Sequence, residues 1–238
     1  MAVTVETKAY LAAVALKKIL VIGLLVAACG FSTPASADSL SLQGLGKGQS
    51  VSLTMGSVTE SGWAGEINWL LTTSGGTEQI YTYCVDLFSP ALNTQNPVTV
   101  ETTNELTPTT SVNSIDGAGA RAAWLFNTYA AGIHALPDSL DSYAQAAGLQ
   151  IAIWQAMYET VGNTFTVTAS DSAKTYASNY LGALGSNTSV ATYLDSGPRN
   201  GQDQITRVPE PSSVLLLLLA LPLLVAFDRR GPSPLVQR

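Results

Sequence analysis

The stretch from Asp138 to Thr160 (DSLDSYAQAAGLQIAIWQAMYET) constrains the fold more than any other part of the chain. Its apolar side chains recur three and four positions apart, at Ala146, Leu149, Ile153 and Met157 with Trp154 alongside. That period predicts a helix with a buried face, and Pro137-Asp138-Ser139 supplies its start signal. Gln150 breaks the pattern. Its helical neighbours at i−4, i−3, i+3 and i+4 are Ala146, Ala147, Ile153 and Trp154, all apolar. A primary amide on such a face must find hydrogen-bond partners or cost roughly 1–3 kcal/mol. Gln145 and Gln155 have polar or charged helical neighbours and carry no such demand.

A partner for Gln150 is expected in the run Ile80 to Phe88 (IYTYCVDLF), rich in β-branched and aromatic residues and therefore read as a strand. In a strand, Thr82, Cys84 and Asp86 point one way, and Tyr81, Tyr83, Val85 and Leu87 the other. A thiol facing a buried glutamine amide can attack it, and loss of ammonia leaves an internal Cys–Gln thioester. Tyr83-Cys84-Val85-Asp86, followed by Leu149-Gln150-Ile151-Ala152-Ile153-Trp154, resembles the thioester-domain family of bacterial surface adhesins. That family carries an aromatic-Cys-apolar-Asp motif and an apolar-Gln-x-Ala-apolar-Trp motif in this order. An Ala-Ala-Trp-Leu-like helix between them is matched by Ala122-Ala123-Trp124-Leu125.

The resemblance covers about Ile67 to Leu184. It implies a bond from Cys84 Sγ to Gln150 Cδ that an amine or a hydroxyl opens once, leaving an isopeptide or ester bond and a free thiol. Such a protein binds covalently, needs no cofactor and is not a turnover enzyme. Water competes for the bond, so Tyr83 and Trp154 are expected to shield it. Asp86, on the face of Cys84, raises the thiol pKa. It either accepts a proton during ring closure or fixes a neighbouring loop.

The two ends read as processing signals. Lys8, Lys17 and Lys18 precede an apolar run from Ile19 to Ala28, and small residues follow up to Ala35-Ser36-Ala37. This is the order of a secretory signal peptide cut by signal peptidase after Ala37. Val26-Ala27-Ala28-Cys29 also resembles a lipoprotein box, which would make Cys29 a lipidated N-terminus. At the other end, Val208-Pro209-Glu210-Pro211 precedes an apolar run from Val214 to Phe227, and Asp228-Arg229-Arg230 follows at once. That order resembles the PEP-CTERM sorting signal. It implies transient anchoring in the inner membrane, Arg229 and Arg230 on the cytoplasmic side, and cutting by an exosortase near Pro209-Glu210-Pro211. It also implies a Gram-negative host and a final place on the outer surface or in the extracellular matrix. The chain then divides into signal peptide (1–37), thioester domain (38–200), linker (201–208), sorting signal (209–230) and short tail (231–238).

Charge and cysteine count narrow the classes. Between Asp38 and Arg207, fourteen acidic residues oppose Lys47, Arg121, Lys174, Arg199 and Arg207, so this segment carries about −9 (5 − 14). That is no footprint for nucleic acid. If Cys29 leaves with the signal, Cys84 is the sole cysteine of an exported body, and a disulfide within it is impossible. The plain alternative is a buried, inert thiol. A cysteine hydrolase needs a base beside the thiol; His134 is the only histidine, and no spacing ties it to Cys84. A third reading is a non-reactive structural or carbohydrate-associated surface protein, with Trp63 and Trp69 as sugar platforms or, more simply, core. Grouped His/Cys metal ligands are absent.

The remaining pattern gives an α+β fold, an antiparallel β-sandwich or barrel portion packed on a small helical portion. Residues 39–73 read as β, with Gly44, Gly46, Gly48, Gly56, Gly62 and Gly65 at turns. Gly44-Leu45-Gly46-Lys47-Gly48 is a turn by this reading, since it lacks the helix and Lys-Ser/Thr ending of a phosphate loop. Ser74-Gly75-Gly76-Thr77 is the hairpin connection into the Cys84 strand. A strand at 97–102, helices at 117–131 and 170–184, and a strand at 163–169 complete the body.

Overall fold

Alternation of apolar and polar side chains from Asp38 onward builds a long antiparallel hairpin, β1 (Asp38–Met55) and β2 (Val58–Thr73). The computed structural model describes residues 38–87, 89–103, 117–158, 165–197 and 201–207. Ala37 and the signal peptide, Pro209-Glu210-Pro211, Arg229 and Arg230 lie outside the described residues. The hairpin is followed by β3 (Gly76–Cys84), β4 (Thr94–Thr103), α1 (Ala118–Ala135), α2 (Leu140–Tyr158), β5 (Phe165–Thr168), α3 (Asp171–Leu184), β6 (Ala191–Asp195) and β7 (Gln204–Thr206). The fold is α+β: among the described residues, an antiparallel sheet with three helices.

The sheet order is β2-β3-β7-β6-β4-β1-β5, and β1 also pairs with β2. Those pairings close six strands into a ring, with β5 added along the far end of β1. One apolar cluster fills the ring: Leu40, Ile67, Trp69, Leu71, Ile80, Val98 and Leu194, from β1, β2, β3, β4 and β6. A larger cluster joins the sheet to the helices, with Val51, Leu53, Tyr83, Phe126, Leu149, Ile153 and Tyr193 among its members.

Helix α2 is the axis of that second core. From Ala146 to Tyr158 every residue but Gln155 is buried, so the helix is enclosed all round rather than along one stripe. Its neighbours α1 and α3 cover the sides that the stripe reading left to solvent. Gly148 permits the α3 contact, since a Cβ there would sit 2.6 Å from Tyr176 Cβ and 2.9 Å from the Ala173 carbonyl oxygen. Helix α3 starts at Ser170, whose hydroxyl accepts the Ala173 N–H at 3.2 Å as an N-cap.

Three expectations change. Of the glycines assigned to turns, only Gly56 lies in one; Gly44, Gly46, Gly48, Gly62 and Gly65 lie within the hairpin strands. Register shifts between Leu42 and Gly44 and between Leu45 and Gly48 mark bulges in β1. Gly48 and Gly65, paired across the hairpin with φ of 158° and 144°, allow a backbone approach that any Cβ would block. The linker at 201–208 is in part a strand. Gln204–Thr206 is fully buried and lies between β3 and β6, so the body extends through it. Finally, β3 ends at Cys84, so Asp86 does not share a strand face with the cysteine.

Candidate functional site

Cys84 sits where the sheet parts. β2 and β3 pair from Thr73 and Gly76 as far as Ile67 and Thr82, and no further. Beyond that point β3 keeps a neighbour only on its other side, where Tyr83 faces Ile205 and Cys84 faces Gln204. Val85 N–H goes to the Asp203 carbonyl on the β7 side at 3.0 Å. The backbone of Cys84 faces the opposite side, where β2 has left.

Gln150 fills that vacancy. Its Oε1 accepts the Cys84 N–H at 2.9 Å, and its Nε2 donates to the Cys84 carbonyl oxygen at 2.7 Å. The side-chain amide therefore replaces a strand residue, with the same donor and acceptor that a peptide group offers. The structure brings the two residues together across 66 positions of sequence. The contact runs through the cysteine's backbone, which sequence reasoning on the sulfur alone did not foresee. Both residues are sealed: Gln150 is 0 % exposed and Cys84 1 %.

The surroundings of the Cys84 sulfur favour the neutral thiol over the thiolate. Its Sγ donates to the Asp86 carbonyl oxygen at 2.8 Å. Burial, and then the Asp86 carboxylate, push its pKa well above the ordinary thiol value. The Trp154 indole favours the thiolate but is outweighed, and its Nε1 reaches no partner in hydrogen-bonding geometry.

The segment after Cys84 is pinned by residues that the sequence did not single out. Tyr158 Oη donates to the Val85 carbonyl at 3.0 Å and accepts from Leu87 N–H at 3.3 Å. Gln202 Nε2 donates to the carbonyls of Asp86 and Ser89, each at 3.0 Å. Buried Asp203 accepts Ser196 N–H at 2.9 Å. Tyr158 stands two helical turns beyond Gln150 on α2, a spacing that could have marked it. Gln202 and Asp203 carried no such signal.

The supporting residues separate. Trp154, 2 % exposed, lines a groove of about 320 Å³, and its indole also lies beside the Cys84 thiol, which does not itself line the groove. Tyr83 lies on the other side of β3, against Phe126 of α1 with ring centres 6.0 Å apart, and does not border the groove. Trp69 is enclosed in the ring, whereas Trp63 is half-buried and lines the groove.

His134 belongs to α1 rather than to a loop. It stacks on Tyr81 at 4.0 Å between ring centres, and its Nδ1 lies 3.3 Å from Glu66 Oε2. It therefore serves a different corner of the fold and gives Cys84 no base. Comparison of the chain with family models, with curated proteins and with solved structures gave no match.

Proposed function

We propose that Cys84 and Gln150 form an internal thioester that binds an external nucleophile covalently and once. The observation that carries this reading is the two-point clamp of the Gln150 amide on the backbone of the residue that bears the thiol. Attack of Sγ on Cδ puts negative charge on Oε1, the atom already accepting the Cys84 N–H. The Cδ–Nε2 bond then breaks, the thiol proton leaves with Nε2 as ammonia, and the S–Cδ bond remains.

The environment suits such a bond. A thiol of high pKa is a poor leaving group, which slows opening by water. Trp154 and the surrounding apolar core keep water away. An amine that reaches Cδ forms a C–N bond, breaks C–S and returns its proton to the sulfur. The body would be exported behind a signal peptide cut after Ala37, held briefly in the inner membrane, and released or attached by an exosortase acting at Pro209-Glu210-Pro211. It would then act as an adhesion protein at the outer surface or in the extracellular matrix.

Intact mass of the mature protein tests the reading. A thioester makes it one ammonia lighter than its sequence. Methylamine restores a full-length adduct located at Gln150, and Cys84→Ala abolishes both effects. A full mass with no amine uptake leaves a non-reactive surface protein.

A further inference from the structure

The groove beside Trp154 has a free sheet edge for a wall. β2 pairs with β1 along its length but with β3 only from Ile67 onward. Among the described residues, the outer edge of β2 before Ile67 therefore has no strand partner. Glu60, Ser61 and Gly62 on that edge are exposed, and Trp63 is half-buried; all four line the groove. The Glu66 carbonyl is occupied by Trp63 Nε1 at 3.2 Å, so the open stretch ends there.

Unpaired backbone beside a cleft is the arrangement that recognises an extended peptide by adding it as a strand. A peptide strand matches such a row of backbone donors and acceptors at their own spacing, which sugar hydroxyls do not repeat. Charge agrees. Among the described residues that line the groove, Glu60 is the only charged one, so its rim favours a cationic guest. Gly62 leaves open space at this point, for a Cβ there would meet nothing within 4 Å.

We propose that an extended, lysine-bearing segment of a partner protein docks along β2 at Glu60–Trp63 and feeds its amine past Trp154 to Gln150 Cδ. The covalent step rests on the thioester reading above; the docking does not. In that step the lysine nitrogen bonds to Cδ, the C–S bond breaks, and the amine proton passes to the Cys84 sulfur.

The probes are acetyl-Thr-Val-Lys-Val-Thr-amide, Nα-acetyl-lysine amide, a chitosan oligomer and methylamine, each offered to the full chain. The pentapeptide should react at least about tenfold faster than acetyl-lysine amide, the gain that a couple of net backbone hydrogen bonds supplies. Gly62→Leu, which fills the groove, should bring the ratio of peptide rate to methylamine rate down to that of acetyl-lysine amide. In Cys84→Ala, where no covalent bond forms, the pentapeptide should still protect the outward-facing amides of Ser61 and Trp63 from hydrogen exchange. A pentapeptide no faster than acetyl-lysine amide, a chitosan oligomer that outpaces it, or unprotected Ser61 and Trp63 amides overturns the proposal. A wild-type chain that takes up no methylamine removes the thioester, and the exchange experiment then decides the docking alone.

Discussion

Replacing Gln150 by leucine in a Cys84→Ala background isolates what the buried amide does for the fold. Cys84→Ala already removes any covalent link, yet residue 84 keeps its backbone N–H and C=O. Leucine is close to glutamine in size, so the second change leaves little cavity. What it removes is the pair of bonds at 2.9 Å and 2.7 Å, in a place where both residues are sealed from water. Two buried backbone groups are then orphaned at about 1–3 kcal/mol each, or roughly 2–6 kcal/mol together. Added apolar burial of the leucine recovers about 1 kcal/mol at most. The net loss is then roughly 1–5 kcal/mol, and a body of this size shifts its melting point by about 2–4 °C per kcal/mol, so a fall of roughly 2–20 °C is expected. Urea unfolding at neutral pH, compared with Cys84→Ala alone, gives the free energy directly. A difference within about 0.5 kcal/mol, the range of an ordinary surface substitution, would refute the claim that Gln150 completes the sheet at Cys84.

Three further outcomes follow from the same contacts. Trp154→Phe should thin the barrier between groove and thiol, so thioester hydrolysis followed by intact mass should quicken several-fold; an unchanged half-life denies Trp154 the shielding role. In protein opened by methylamine, the buried thiol holds its proton above the pH at which an unfolded thiol, near about 8.5, loses it. The native state then binds more protons than the unfolded one, so stability should fall as pH rises past that value and stay level below it, as urea midpoints between pH 7 and 10 would show. Gly148→Ala places a Cβ against Tyr176 and Ala173 and should cost about 1–3 kcal/mol by overpacking the α2–α3 contact, read from the thermal midpoint.

The sequence determined the helices and the demand that Gln150 creates. Periodicity placed α2 within two residues at each end and α3 within one. The strand character of residues 80–84 and the turn at Ser74-Gly75 were equally local, though the strand starts four residues earlier than its composition marks and ends at Cys84 rather than Phe88. Glycine was misleading: in β1 and β2 it serves bulges and a close backbone approach, needs that arise only once the strands are paired. The stretch 201–207 looked like a linker because polar Gln204 and Thr206 do not advertise burial. They are buried because a central strand satisfies their backbone and because Thr82 Oγ1 donates to Gln204 Oε1 at 2.8 Å.

Only the tertiary structure decided how Gln150 is satisfied. The sequence pointed to Cys84, but the divergence of β2 from β3 is a property of the whole ring, set by strands distant in the chain. That divergence leaves the N–H and C=O of Cys84 without a strand neighbour and opens the groove alongside. A side-chain amide has the donor and acceptor of a peptide, so it can enter the sheet from a helix, and it does so at the one residue of the body that carries a thiol.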